Sequence, residues 1–341
     1  MKLYLPAVNL FQFLFHAPIA RLLVCGLLLM PFSGFTQHSN DWINFNQSYY
    51  KISVARDGLY RITYNDLQAA NFPVNSVDPR LIKLYHRGKE QAILVQGEAD
   101  AVFNSTDFIE FFGKRNDGTL DKNLYKPANS QPHPYYNLYS DTTAYFLTYS
   151  LIPPAGKRMQ SFSEVNVLNL PKENVHTEER LTVLSEDYSS GYSFGPELVL
   201  QNTFFDQGEG WFSKPLQPQQ FADFTIDLLK NGVPTEGTPR LEMLLVGRDA
   251  YPHSAEVQVG GIASALRTVA TVDFFGFETP VITADLDWSD FTADGKTTIR
   301  ITAGSTFNNR FQFSTAYVKV IFPQSFNASG VTEKIFRLAP N

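Results

Sequence analysis

Hydrophobic and polar positions alternate with a period of two along much of the chain, the mark of strands with one buried face. Tyr50, Ile52 and Val54 alternate with Lys51 and Ser53, and Tyr60, Ile62 and Tyr64 with Arg61 and Thr63. Asp57-Gly58 between these runs predicts a hairpin turn. Asn65 is placed to cap a short helix through Ala70, which ends before Pro73. Further strands are predicted at Leu81 to His86 and Gln91 to Gln96, joined by the polar turn Arg87-Gly88-Lys89-Glu90, and at Asp107 to Phe112. A long irregular segment rich in Asn, Asp and Pro then runs from Gly113 to Tyr139. It is either a surface loop with a task or a packed connector.

The alternation weakens between Pro153 and Phe212 and returns from Phe221 onward. Phe224, Ile226 and Leu228 alternate with Thr225 and Asp227, Val257 and Val259 with Glu256 and Gln258, and Ile299 and Ile301 with Arg300 and Thr302. Tyr317 to Phe322 leaves only Lys319 charged, so it reads as a buried strand. The fold expected is mainly β, with few short helices. A β-rich domain over 37–152 and a connector over 153–212 lead to an antiparallel, jelly-roll-like β-sandwich over 213–341. Whether that sandwich is complete at its C-terminus stays open.

The apolar run Leu22 to Met30 follows the basic residues Lys2 and Arg21 and precedes small and turn-forming residues, which predicts an export signal over 1–36 cut after Thr36. That run is too short to span a bilayer. The expected location is therefore the periplasm or the outer-membrane cell surface. The one cysteine of the chain, Cys25, lies inside the signal. The mature chain would hold no thiolate for a nucleophile, a metal or a redox pair. The full chain has 28 Lys plus Arg against 34 Asp plus Glu, and losing Lys2 and Arg21 leaves 26 against 34, a balance of -8. An acidic surface of this kind argues against nucleic acid as a partner.

Candidate chemistry is sparse. The six histidines, His16, His38, His86, His133, His176 and His253, are scattered, and none has a second His at metal-ligand spacing. GYSFG, Gly191 to Gly195, matches the nucleophile-elbow pattern with Ser193 at its centre. The polar text before it and Pro196 after it fit a Gly-flanked loop better than a strand running into a helix. Asp285, Asp287 and Asp290, in ADLDWSDFTADG, are spaced so that their carboxylates could gather around a hard cation such as calcium, the one cofactor the sequence suggests. The competing reading is a solvated connection with Asp294-Gly295 as a hairpin turn. In FFDQGEGWF, Phe204 to Phe212, Trp211 with Asp206 and Glu209 has the makings of a sugar-stacking site, but core packing of Trp211 at a domain interface is the reading favoured, because large aromatics mostly serve burial.

Several segments carry a resemblance. YYKISVARDGLYRITYNDL (Tyr49 to Leu67), DFIEFFGKRNDGTLDKNLY (Asp107 to Tyr125) and PHPYYNLYSDTTAYFLTY (Pro132 to Tyr149) are joined by FDQGEGW (Phe205 to Trp211) and STAYVKVIFP (Ser314 to Pro323). Together they resemble the non-catalytic N-terminal region of gingipain-type cysteine peptidases, in particular the PorU-like sortases of the type IX secretion system in Bacteroidetes. The resemblance implies a downstream peptidase domain that carries the catalytic Cys and His, and contacts with outer-membrane secretion components. No catalytic residue carries over to this chain. The ending FRLAPN reads as mid-domain text, which leaves a fragment and a truncated reading frame as open alternatives. Two functions remain: the scaffold of a secretion-linked peptidase, or a free-standing surface sandwich that binds glycan.

Overall fold

The computed structural model describes residues 40–161, 163, 172–192, 203–227, 229–305, 311–328 and 334–338. The signal segment 1–36, Ser193 and Leu228 lie outside the described residues. Residues up to Asn46 form a unit of their own, and Gln47–Asn341 form a second compact unit. No helix among the described residues is long and apolar enough to cross a membrane.

Seven strands build the first part of the larger unit: β1 (Tyr50–Val54), β2 (Gly58–Thr63), β3 (Ile82–His86), β4 (Lys89–Gln91), β5 (Leu94–Gln96), β6 (Phe108–Gly113) and β7 (Thr143–Tyr149). They form one sheet in the order β1-β7-β3-β4 and another in the order β2-β6-β5. Val54, Ile82, Leu84, Ile109, Phe111 and Leu147 fill the core that these strands share. One helix, α1 (Tyr64–Ala69), packs here and buries Leu67. Its cap is Thr63, not the expected Asn65. The Thr63 hydroxyl accepts from Asp66 N–H while the Asp66 carboxylate accepts from Thr63 N–H, a closed capping box.

The expected Asp57-Gly58 hairpin does not form. β1 pairs with β7 and β2 with β6, so the two runs belong to different sheets. A two-residue hairpin turn needs positive φ, and Gly58 has none. Instead the Asp57 carboxylate accepts from Arg115 N–H at 2.8 Å, which fixes the corner to the segment beyond β6. The run expected over Gln91 to Gln96 is likewise divided, β4 pairing with β3 and β5 with β6. Arg87-Gly88 does make the turn between β3 and β4, with φ of 50° and 77°.

The sandwich consists of two four-stranded antiparallel sheets. Its strands are β8 (Val175–Val183), β11 (Phe221–Ile226), β12 (Arg240–Gly247), β13 (Pro252–Gly260), β14 (Arg267–Phe275), β15 (Val281–Asp285), β16 (Thr297–Ala303) and β17 (Phe313–Ser325), while β9 (Asp187–Ser190) and β10 (Glu209–Phe212) pair as a separate small sheet. One sandwich sheet runs β15-β12-β17-β8 and the other β11-β16-β13-β14. Leu241, Met243, Val257, Val259, Ile299, Ile301, Val318 and Val320 meet between them as a continuous core. The mainly β architecture with a sandwich is thus the fold of this chain. Tyr317 to Phe322 lies inside β17, between β12 and β8, as a run with Lys319 for its only charge predicts.

The stretch 153–212 holds more structure than a connector. β8 completes a sandwich sheet from within it, and β9 and β10 add the small one. Asp294-Gly295 forms a tight turn, with Gly295 N–H donating to Thr292 O at 2.9 Å and φ of 79° at the glycine. It connects strands of opposite sheets, β15 and β16, and so is not a hairpin.

Candidate functional site

The segment after β6 carries the richest constellation, because it is packed against β9, β10 and the outer face of β17. Two short 3-10 turns, Gly118–Leu124 and Ala128–Ser130, give it shape. Backbone bonds fasten it at one end: Lys126 N–H donates to Phe205 O at 3.0 Å and Phe205 N–H to Leu124 O at 2.9 Å. Side chains fasten the rest. Tyr125 donates its hydroxyl to Glu209 O at 3.0 Å, and the Trp211 indole N–H donates to Leu138 O at 3.3 Å. The Glu209 carboxylate takes the Tyr188 hydroxyl on one oxygen, at 2.5 Å, and Asp206 N–H on the other, at 2.9 Å. Burial beside this carboxylate pushes the Tyr125 and Tyr188 phenols up.

Asp121 and His133 are buried in the same seam. The Asp121 carboxylate accepts from Asn137 Nδ2 at 2.7 Å and from Leu138 N–H at 2.9 Å. Burial nevertheless raises its pKa, and these two hydrogen bonds act against the rise. His133 Nδ1 accepts from Tyr135 N–H at 3.1 Å, which makes its Nε2 the protonated nitrogen of the neutral ring. The ring lies 5.7 Å from those of Tyr135 and Tyr317. Burial pulls its pKa down to about 4. Below it, Lys319 Nζ meets Glu242 Oε1 at 2.7 Å, and Tyr317 donates to the same carboxylate at 3.0 Å.

Asp121, Tyr125, His133, Glu209 and Trp211 line a cavity of about 10 Å³, room for about one water. A sugar ring does not fit there. Asp206, Glu209 and Trp211 do come together as the sequence suggested, and their polar atoms are spent on Tyr188, backbone groups and Leu138. The Tyr188 ring stands edge-on to Trp211 at 5.2 Å. What the arrangement does chemically is hold: it joins the segment after β6 to the sandwich through hydrogen bonds among buried and half-buried groups.

No His in the described residues faces a serine. His86 Nε2 faces Thr143 Oγ1 at 3.1 Å, His176 Nε2 faces Gln324 Oε1 at 3.1 Å, and His253 Nε2 faces Gly276 O at 2.9 Å. Asp287 and Asp290 are drawn together around the Arg267 guanidinium. Arg267 donates to Asp290 at 3.0 and 2.6 Å and lies 3.0 Å from Asp287. Asp290 is buried and also accepts from Asp287 N–H at 2.8 Å. Asp285 stands apart at the end of β15, exposed and opposite Arg240. No group of three His, Cys, Asp or Glu side chains among the described residues is placed to hold a metal ion.

The seam residues Asp121, Tyr125, His133 and Leu138 lie inside the segments 107–125 and 132–149 that carry the resemblance, but nothing in their spacing marks them as one group. The local signal is Pro132-His133-Pro134, where two prolines stiffen the backbone on either side of one imidazole.

No family model matches the sequence, and no curated protein matches it. The fold is similar to that of dimeric latent PorU from Porphyromonas gingivalis, with a TM-score of 0.55 and 14% identity over 85% of this chain. This chain spans 26% of the length of that one. The CBM36-1 domain of a multidomain xylanase from the hindgut metagenome of Trinervitermes trinervoides is matched over its whole length and 45% of this chain, at 16% identity and a TM-score of 0.26.

Proposed function

We propose that the chain is the non-catalytic N-terminal scaffold of a secreted, gingipain-type peptidase linked to type IX secretion. The observation that carries this reading is the shared fold with PorU over 85% of the chain at a TM-score of 0.55. The segments YYKISVARDGLYRITYNDL and STAYVKVIFP add the resemblance in sequence. In this reading the protein is exported to the periplasm or the cell surface. Its partners are a peptidase domain encoded downstream and outer-membrane secretion components. Its own task is mechanical: the seam around Tyr125, His133 and Trp211 holds the segment after β6 against the sandwich, giving the catalytic domain a rigid support.

The coding sequence beyond the Asn341 codon tests the proposal. An in-frame domain with a Cys and His pair supports it, and a stop codon followed by an unrelated gene refutes it. A second test is enzymatic. The mature chain should hydrolyse no peptide, because it lacks the thiolate that the family's chemistry uses. Hydrolysis that follows the protein through repurification would place a different nucleophile here, and Ser193 would be the first to replace.

A further inference from the structure

Residues Lys334–Leu338 run antiparallel along the outer edge of β8, beyond the four strands of its sheet. One backbone bond joins them, from Thr177 N–H to Arg337 O at 2.9 Å. Side chains make the rest of the attachment. Lys334 sends its ammonium into a polar nook, where it donates to Glu178 Oε2 at 2.7 Å and to Gln324 Oε1 at 2.6 Å. Glu178 and Gln324 are buried, at 4% and 3% exposure, so little water competes for the cation. Two residues further on, Phe336 sets its ring edge-on to the buried His176, with centroids 4.9 Å apart, and packs on Phe326 at 5.3 Å.

A sheet edge takes an extended peptide in the same way, with main chain against the edge strand and alternate side chains in pockets. Lys334 and Phe336 are two apart and therefore share one side of the extended segment. The segment itself is no part of a core: Ile335, Phe336 and Leu338 are all exposed. Nor does its departure strand the nook. Glu178 keeps Arg180, 2.8 Å from its other oxygen, and Gln324 Oε1 keeps His176. The cation is thus removable without leaving a buried carboxylate alone.

We infer that the edge of β8 is a binding site for an extended peptide that carries a Lys two residues before an aromatic residue, and that Lys334–Leu338 fills it in cis. The nook selects the ammonium, the His176 and Phe326 rings select the aromatic side chain, and Thr177 N–H fixes the register. The site is therefore closed to other peptides until the chain's own segment lets go.

The test uses the full mature chain with Lys334→Ala, and a fluorescent peptide with the sequence of residues 331–341. The variant should be cut by trypsin after Arg337 at least tenfold faster than the wild type. It should bind the peptide, which the wild type leaves free, and Lys→Ala in the peptide should weaken that binding at least tenfold. Glu178→Gln in the otherwise unchanged chain should likewise open the Arg337 site, and the melting temperature of each variant shows that the sandwich is folded. Equal cleavage of variant and wild type overturns the inference. So does a folded Lys334→Ala chain that ignores the peptide or binds both peptides alike.

Discussion

Lowering the pH protonates His133 in the unfolded chain well before it does so in the fold. Burial between Tyr135 and Tyr317 brings the folded pKa from 6.5 down to about 4. Between these values the unfolded state holds a proton that the folded state refuses, so stability falls as the pH falls. The loss begins near pH 6.5, follows a slope of about 1.4 kcal/mol per pH unit, and is complete near pH 4, at roughly 3 kcal/mol in all. That is a large share of the roughly 5–15 kcal/mol typical of a folded domain. Burial also lowers His86 and His253, so a control is needed to isolate His133. His133→Asn serves, since its side-chain oxygen can take over the hydrogen bond from Tyr135 N–H while nothing on it titrates. Urea unfolding at pH 7, 6, 5 and 4.5 then gives two stability curves. The variant starts lower, through lost packing, and should converge on the wild type by about 2 to 3 kcal/mol at the acidic end. A constant gap across the series would mean that the folded imidazole takes its proton freely, and the reasoning from burial would fail.

Asp290→Asn should cost about 2 kcal/mol in the same assay, because Arg267 and Asp287 N–H lose the carboxylate that they share. With that carboxylate engaged by Arg267, millimolar calcium against chelator should leave the melting temperature unchanged. A bound ion would add about 2.7 kcal/mol at a hundredfold excess over its dissociation constant, and an upward shift abolished by Asp287→Ala would reassign the loop to metal. Gly247→Ala should destabilise by about 3 kcal/mol or prevent folding, since a Cβ there would stand 1.8 Å from Gly276 O, a backbone atom that cannot swing away. A soluble Gly247→Ala protein with a wild-type melt would refute that close approach.

What the sequence disclosed and what it concealed differ by the distance over which burial is decided. β13, β16 and β17 were legible because their inward positions, such as Val257, Ile299 and Val320, are apolar whatever stands opposite. β8 was not, since its inward side chains include His176 and Glu178, whose burial depends on Gln324 and Lys334 far along the chain. The Asp57-Gly58 corner misled for a related reason. A turn dipeptide reports that the chain bends, and the pairing of β1 with β7 decides where it goes. Trp211, Asp206 and Glu209 were found as a group. Their partners Tyr125, Tyr188 and Leu138 come from two other segments, so the group's role as a fastener was not written in its own text.

The position of β17 governs the order in which the molecule can be built. β12 and β8 never touch each other as strands; each pairs with β17, which ends at Ser325. A growing polypeptide that has produced β8, β12 and β15 therefore leaves β8 and β12 each with an edge open toward the strand that joins them. Until about the last residues of β17 have left the ribosome, that half of the sandwich cannot close, and long-range pairing of this kind is slow even then. That half of the sandwich is thus kept open until Ser325 has been made, and anything that binds its exposed edges has that interval in which to act.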